Sequence, residues 1–188
     1  MRNVAFPLML IFGLTACAPR QTLPELYTVP DVNLETHEGD AISLGSFVGK
    51  VVIYDFIFTR CAGTCPLMSR RMRGIAEHLS SDPDLRFVSI SVDPTHDTPE
   101  VLRRYKQRYS EDPRWFLLTG DRNVIVDLSV RGFKLAAGDA KEDVVEPLLH
   151  SSKFVLVDRT GMIRGYYDTF LEGDVEKLER DARQLLSN

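Results

Sequence analysis

The stretch KVVIYDFIFT, residues 50–59, places the strongest limit on what this chain can fold into. It is apolar at almost every position and rich in β-branched and aromatic residues, which is typical of a strand covered on both faces. LRFVSISV and SKFVLVD have the same character, and helical periodicity is found over residues 66–81 and from Glu172 to Leu186. This alternation of strands and helices predicts an α/β fold.

The first residues differ from the rest of the chain. One arginine is followed by an apolar run, Val4 to Leu14, that is too short to span a bilayer but suits an export signal. Leu14-Thr15-Ala16-Cys17 resembles the lipobox of bacterial lipoproteins, which implies that Cys17 is lipidated and becomes the new N-terminus. An ordinary signal peptide cut near Ala16, or an uncut anchor, is the alternative.

These patterns divide the chain into three parts. Residues 1–16 are predicted to be a lipoprotein-type signal peptide, residues 17–30 the lipidated cysteine with an extended tether, and residues 31–188 one folded domain. The lipid would hold the protein on a membrane of the bacterial cell envelope, with the domain facing the periplasm or the exterior. We expect this domain to be a monomer.

The charge balance narrows the choice of partners. The formal net charge is -4 and the sequence pI is about 5.6, so the chain has no basic excess that would hold a phosphate backbone. Nucleic acid is therefore not an expected partner.

Cys61 and Cys65 are the two cysteines left for chemistry once Cys17 is assigned to lipid. They follow the first central strand, and open α/β sheets place their sites at the carboxyl ends of strands. A structural disulfide, a cycling dithiol and a soft-metal site are all possible, since both sulfurs would be within disulfide distance and within reach of one ion. An exported compartment favours a disulfide, but bridging so short a loop stabilises little.

The helix after the cysteines predicts which thiol ionises. We take Pro66 as its first residue, which makes Cys65 the N-cap. Free N–H groups and the helix dipole would then favour a thiolate at Cys65.

A metal site needs a third ligand, and the chain has four histidines. We expect His37 and His78 to be solvated and His96 to decorate its loop. His150 stands just before a predicted strand, where it could overhang the same sheet edge, although the residues alone favour a surface loop position. Two cysteines and one histidine would suit copper, with zinc as a lesser possibility.

Three segments, taken together, resemble the SCO/SenC family: FTRCAGTCP, SISVDPTHDTP and HSSKFVLVDRTGMIRGYYD, which contains His150. The resemblance covers about residues 31 to 186, in the family's order. It implies a thioredoxin-like fold with a central mixed sheet flanked by helices and peroxiredoxin-like insertions. Many members have proline and an acidic residue between the cysteines, whereas this chain has Ala62-Gly63-Thr64, a neutral and more flexible loop.

The resemblance also implies a function. Cys61, Cys65 and His150 would bind copper, as Cu(I) or Cu(II). The protein would be a metallochaperone that delivers copper to the dinuclear copper site of cytochrome c oxidase subunit II, or to another copper-accepting protein, or it would keep that site's cysteines reduced. A Cys61–Cys65 disulfide would remove two ligands, so copper loading requires a thiol reductant as a further partner.

Asp55 interrupts the apolar strand on the same face as Ile53 and Ile57, by the period of two. A carboxylate there is costly unless it is hydrogen-bonded or protonated. It precedes Cys61 by six residues, the offset of a buried acidic residue in thioredoxins. Asp55 is therefore a candidate proton relay, and an aspartate bonded to a neighbouring loop is the alternative.

Two other functions fit the same cysteines. The first is a thiol–disulfide oxidoreductase of the cell envelope without an obligatory copper role, in which His150 would be dispensable. The second is a thiol peroxidase, for which Thr59 and Arg60 are the available supporting residues, although Cys65 would trap a sulfenic acid on Cys61 at once.

Overall fold

The computed structural model describes residues 22–79, 82–135 and 151–187. The candidate ligand His150, the candidate lipidation site Cys17 and the predicted signal peptide lie outside these residues. Within them, seven strands form one sheet: β1 Asn33–Thr36, β2 Ala41–Ser43, β3 Val51–Ile57, β4 Leu85–Ser91, β5 Trp115–Thr119, β6 Lys153–Val157 and β7 Ile163–Asp168.

The sheet is mixed, and its order is β2-β1-β5-β4-β3-β6-β7. β3, β4 and β5 run parallel in the middle, whereas β1, β2 and β6 join their neighbours in antiparallel pairs. β3 lies between β4 and β6, and every one of its residues is buried. The strand predicted from residues 50–59 is therefore confirmed as a central one.

Among the described residues, four α-helices accompany the sheet: α1 Thr64–His78, α2 Pro99–Gln107, α3 Arg122–Asp127 and α4 Glu172–Leu186. Two of them begin at side-chain caps. The Thr98 hydroxyl accepts the N–H of Val101, and the Asp121 carboxylate accepts the N–H groups of Asn123 and Val124. The predicted α/β class is confirmed.

Alternate residues of β3 fill two separate cores. Ile53 and Ile57 pack with Met68 and Met72 of α1 on one face, where α2 and α4 also contribute. On the other face Tyr54 packs against Phe133. Each buried aliphatic side chain of this kind contributes about 1.5–3 kcal/mol relative to an exposed one, so both faces stabilise the strand.

The packed structure begins earlier than the predicted domain. The N–H of Leu26 donates to the Ile163 carbonyl at 3.0 Å, and the N–H of Ile163 donates to the Tyr27 carbonyl at 2.7 Å. The Arg164 guanidinium donates to the Leu23 carbonyl at 2.5 Å. Part of the segment expected to be a tether is thus held against β7.

Across residues 22–79, 82–135 and 151–187, no helix has both the length and the apolar character needed to cross a membrane.

His37 is buried, with 6% of its surface exposed, so the prediction that it is solvated is wrong. Its Nδ1 accepts the N–H of Leu117 at 3.3 Å, which leaves the ring proton on Nε2, 3.3 Å from a Glu38 oxygen. Lys106 Nζ lies 3.2 Å from the same nitrogen. Burial and then the Lys106 charge lower the pKa of His37, although Glu38 opposes them.

We expect His37 to make the fold less stable in acid. The folded-state pKa of His37 lies below the ordinary 6.5, so the neutral ring makes its full contribution to stability above pH 6.5. This contribution is lost as the pH falls through the folded-state pKa. Denaturant unfolding at pH 7.5 and pH 5 should show that His37→Gln loses less unfolding free energy on acidification than the wild type. His96→Gln, at an exposed loop histidine, is the matched control. An equal loss in the wild type and in His37→Gln would contradict the assignment.

Candidate metal and thiol site

The two cysteines lie at the carboxyl-terminal edge of the central strands, as predicted. β3 ends at Ile57, Cys61 is in the connecting loop, and Cys65 is in the first turn of α1. β6 runs antiparallel to β3, so its first residue, Lys153, lies at this same edge. β6 therefore begins at the sheet edge that carries the cysteines.

Cys61 is half-buried and lies against the start of α1. Its Sγ accepts the N–H of Cys65 at 3.5 Å. Burial disfavours the thiolate, but the N–H groups of Cys65, Gly63 and Thr64, together with the Cys65 side chain, outweigh it and lower the pKa of Cys61. The helix thus directs its unused N–H groups at the sulfur that precedes it.

Cys65 has the opposite character. It is the second residue of α1, with Gly63 as the N-cap, and 3% of its surface is exposed. Burial raises its pKa, and the neighbouring Cys61 raises it further. The prediction that Cys65 caps the helix is wrong, because Pro66 is the third residue of α1 and not the first. Proline is tolerated there, since the first N–H groups of a helix have no partner within it. The prediction that Cys65 ionises more easily is also wrong, because burial raises its pKa.

Both cysteines are free thiols. Two sulfur donors four residues apart, one of them with a lowered pKa, suit a soft ion such as Cu(I). Among the described residues, no group of three histidine, cysteine or acidic side chains is placed to hold a metal ion. His78 and His96 are exposed, and His150, the ligand implied by the family resemblance, lies outside the described chain.

Asp55 is fully buried, on the β3 face that packs with Cys65, as its spacing from Ile53 and Ile57 predicts. Burial raises its pKa to about 7, and Ser89 on β4 opposes that rise. A charge on Asp55 is one of the contributions that raise the pKa of Cys65, so the two groups are electrostatically coupled. Within residues 22–79, 82–135 and 151–187, no loop backbone group donates a hydrogen bond to either Asp55 oxygen.

Asp97 holds the loop before Cys61 in place. Its buried carboxylate accepts the N–H of Thr59 at 3.0 Å, the Thr59 hydroxyl at 2.6 Å and the Ser91 hydroxyl at 2.5 Å. The next residue, Arg60, pairs with Asp93 at 2.5 Å. We did not predict this role for Asp97. The available signal was the second aspartate of DPTHDTP, in a loop that follows a buried strand.

These contacts bear on the peroxidase alternative. A peroxidase needs a threonine and an arginine that support the reactive sulfur, but here the Thr59 hydroxyl donates to Asp97 and the Arg60 guanidinium to Asp93. Neither group is free to serve Cys61 in this arrangement.

Comparison with known proteins gives consistent matches. The family model described as SCO1/SenC matches residues 21–187. A SCO1 protein homolog of Bacillus subtilis (strain 168) is 32% identical over 164 residues, which is 85% of this chain and 84% of that protein.

Solved structures agree with the fold. BsSco, a member of the Sco family of cytochrome c oxidase assembly proteins in which a disulfide switch was identified, is 29% identical with a TM-score of 0.75, covering 89% of this chain and 99% of that one. Bradyrhizobium japonicum ScoI, solved with copper bound, is 22% identical with a TM-score of 0.62, covering 85% and 99%. The thioredoxin-like α/β fold is confirmed.

Cys61 should be the thiol that reacts first. With Cys17 replaced by serine throughout, iodoacetamide should modify Cys65→Ser, which keeps Cys61, at least about tenfold faster at neutral pH than Cys61→Ser, because the thiolate is the reactive form. Mass spectrometry over time measures both rates. Equal rates in the two variants would contradict the pKa order of the pair.

Proposed function

The chain belongs to the SCO1/SenC family, and on this basis we propose that it binds copper through Cys61, Cys65 and His150. We propose further that it delivers the copper to the dinuclear site of cytochrome c oxidase subunit II or to another copper-accepting protein. The observation that supports this best is the pair of free thiols at the start of α1, at the sheet edge where β6 begins three residues after His150 in the sequence. The copper bound to a structural relative supports the choice of metal.

The unequal thiols suggest an order of binding. The pKa of Cys61 is lowered, so Cys61 loses its proton more easily than an ordinary cysteine and is the first of the two to offer a thiolate ligand. Cys65 is protonated when free, so its coordination releases a proton. Thiolates favour Cu(I), and a neutral imidazole accommodates either oxidation state. Release to a recipient would proceed by exchange of these ligands for those of the recipient.

An anaerobic copper titration of the reduced protein tests this proposal. We expect one equivalent to bind tightly, and oxidised copper to show a sulfur-to-Cu(II) charge-transfer band. His150→Ala should weaken binding by about tenfold or more and change that band, since one ligand is lost. His96→Ala removes an exposed histidine near the same edge and should bind like the wild type. Binding indifferent to His150 would refute the three-ligand site.

A second function, thiol–disulfide exchange, is favoured by the same asymmetry. The Cys61 thiolate would attack a target disulfide and release one target thiolate. Cys65 would then lose its proton and attack Cys61, which closes a Cys61–Cys65 disulfide and frees the second target thiol. Two electrons pass to the target, and an external dithiol returns the pair to its reduced form. The disulfide switch identified in a relative supports this cycle.

Asp55 is our candidate for the group that takes the proton from Cys65. It is buried on the same face, its pKa is about 7, and its charge is coupled to that thiol. Near neutral pH such a carboxylate can accept a proton and release it again.

Asp55→Asn should slow closure of the Cys61–Cys65 disulfide by about tenfold or more at pH 7, and it should remove the rate inflection near that pH. The first step, attack by Cys61, should keep its rate, because the pKa of Cys61 is set by burial, by the N–H groups at the start of α1 and by the Cys65 side chain. Stopped-flow measurement of both steps between pH 5 and pH 9 separates them. An unchanged pH profile in Asp55→Asn would show that Asp55 is not the proton relay.

We also propose that Cys17 is lipidated and anchors the protein to a membrane of the cell envelope. The lipobox-like Leu14 to Cys17 supports this. Leu23, six residues after Cys17, already packs against the domain, so the anchor would keep the domain near the membrane surface.

A further inference from the structure

A cleft of ≈340 Å³ opens beside the cysteine loop, between Thr59 and Arg60 on one side and α2 on the other. The helix contributes Val101, Arg104 and Tyr105 to it, and Arg108 follows directly after α2. Positions 101, 104, 105 and 108 share one face of a helix. The cleft is therefore lined by the two residues immediately before Cys61 and by one face of α2.

The charge of this cleft contrasts with that of the whole molecule. The sequence RRYKQR, residues 103–108, carries four cations, while the chain as a whole has a net charge of -4. Three arginines, Arg60, Arg104 and Arg108, line the cleft and are exposed.

Two of these arginines have acidic partners and one has none. Arg60 pairs with Asp93 at 2.5 Å, and Arg104 lies 3.6 Å from Glu100. Within residues 22–79, 82–135 and 151–187, no side-chain hydrogen bond or ion pair engages Arg108. Its guanidinium keeps its donors for a ligand, and guanidinium groups match carboxylates in a bidentate geometry.

The wall of the cleft nearest the cysteines is fixed. Asp97 accepts both the N–H and the hydroxyl of Thr59, and the opposite wall is braced where the Tyr105 hydroxyl lies 2.8 Å from that of Ser69 on α1. A ligand held here therefore has a defined position relative to Cys61, two residues beyond Thr59.

We propose that this cleft docks an acidic segment of the protein that exchanges copper or thiols at Cys61 and Cys65. The proposal rests on the function proposed above and identifies the recipient by its chemistry: carboxylate side chains close in sequence to its own cysteines. Complementary charge at the rim of a site mainly accelerates and orients the encounter. The cleft would thus select recipients in a molecule whose net charge would otherwise repel acidic partners.

A pair of peptides tests the cleft directly. In one, glutamates flank a cysteine that is carried as its 2-thiopyridyl disulfide, and in the other glutamines replace the glutamates. The Cys61 thiolate attacks the peptide sulfur and releases thiopyridone, and Cys65 then displaces the peptide thiol to form the Cys61–Cys65 disulfide. The release of thiopyridone from the reduced full chain gives the rate.

At low ionic strength we expect the glutamate peptide to react about tenfold faster than the glutamine peptide, by electrostatic steering. Arg108→Gln should remove most of this ratio and leave the rate of the glutamine peptide unchanged. Arg103→Gln removes the same charge from α2 at a residue outside the cleft, so it should keep the ratio.

Other outcomes overturn the proposal. Equal rates for the two peptides, or an equal loss in Arg103→Gln and Arg108→Gln, would show that no local docking occurs. Inhibition by inorganic phosphate as strong as that by a cysteine-free glutamate peptide would assign the cleft to small anions instead. The copper titration of the His150→Ala and wild-type proteins is independent of all these results. A failure of the proposed function and a failure of the cleft are therefore distinguishable.

Discussion

Burial of β3 on both faces is the constraint on which the remaining structure depends. Because Ile53 and Ile57 need one apolar layer and Tyr54 another, helices must cover both sides of the sheet. The chain leaves this strand at an edge where three parallel strands end together. The cysteine loop, the Asp97 loop and the start of β6 meet there for that reason.

The start of α1 gives the two cysteines different acidities. Its first N–H groups have no partner in the helix, and they converge on Cys61 while Cys65 enters the core. The pKa of Cys61 is then lowered and that of Cys65 is raised, although only three residues separate them. Cys61 therefore ionises before Cys65 and is the first of the two to serve as a ligand or nucleophile.

Asp55 and His37 are buried ionisable groups whose pKa values shift in opposite directions, so that each favours its neutral form. The folded-state pKa of Asp55, about 7, lies above its ordinary 3.8, so its contribution to stability is fully present below pH 3.8 and is lost as the pH rises through about 7. For His37 the pKa is lowered, and protonation opposes folding. A carboxylate kept in the core at this cost, and coupled to a thiol, is better explained by function than by stability.

The sequence by itself determined the α/β class, the central strand and the position of the cysteines at a strand end. These follow from the periodicity of apolar residues, which acts over a few residues. Only the tertiary structure decided which cysteine ionises, because that depends on where α1 starts and on how deeply each sulfur is buried. The burial of His37, the Asp97 contacts and the arginine cleft likewise join segments that are distant in the chain, and no local pattern encodes such contacts.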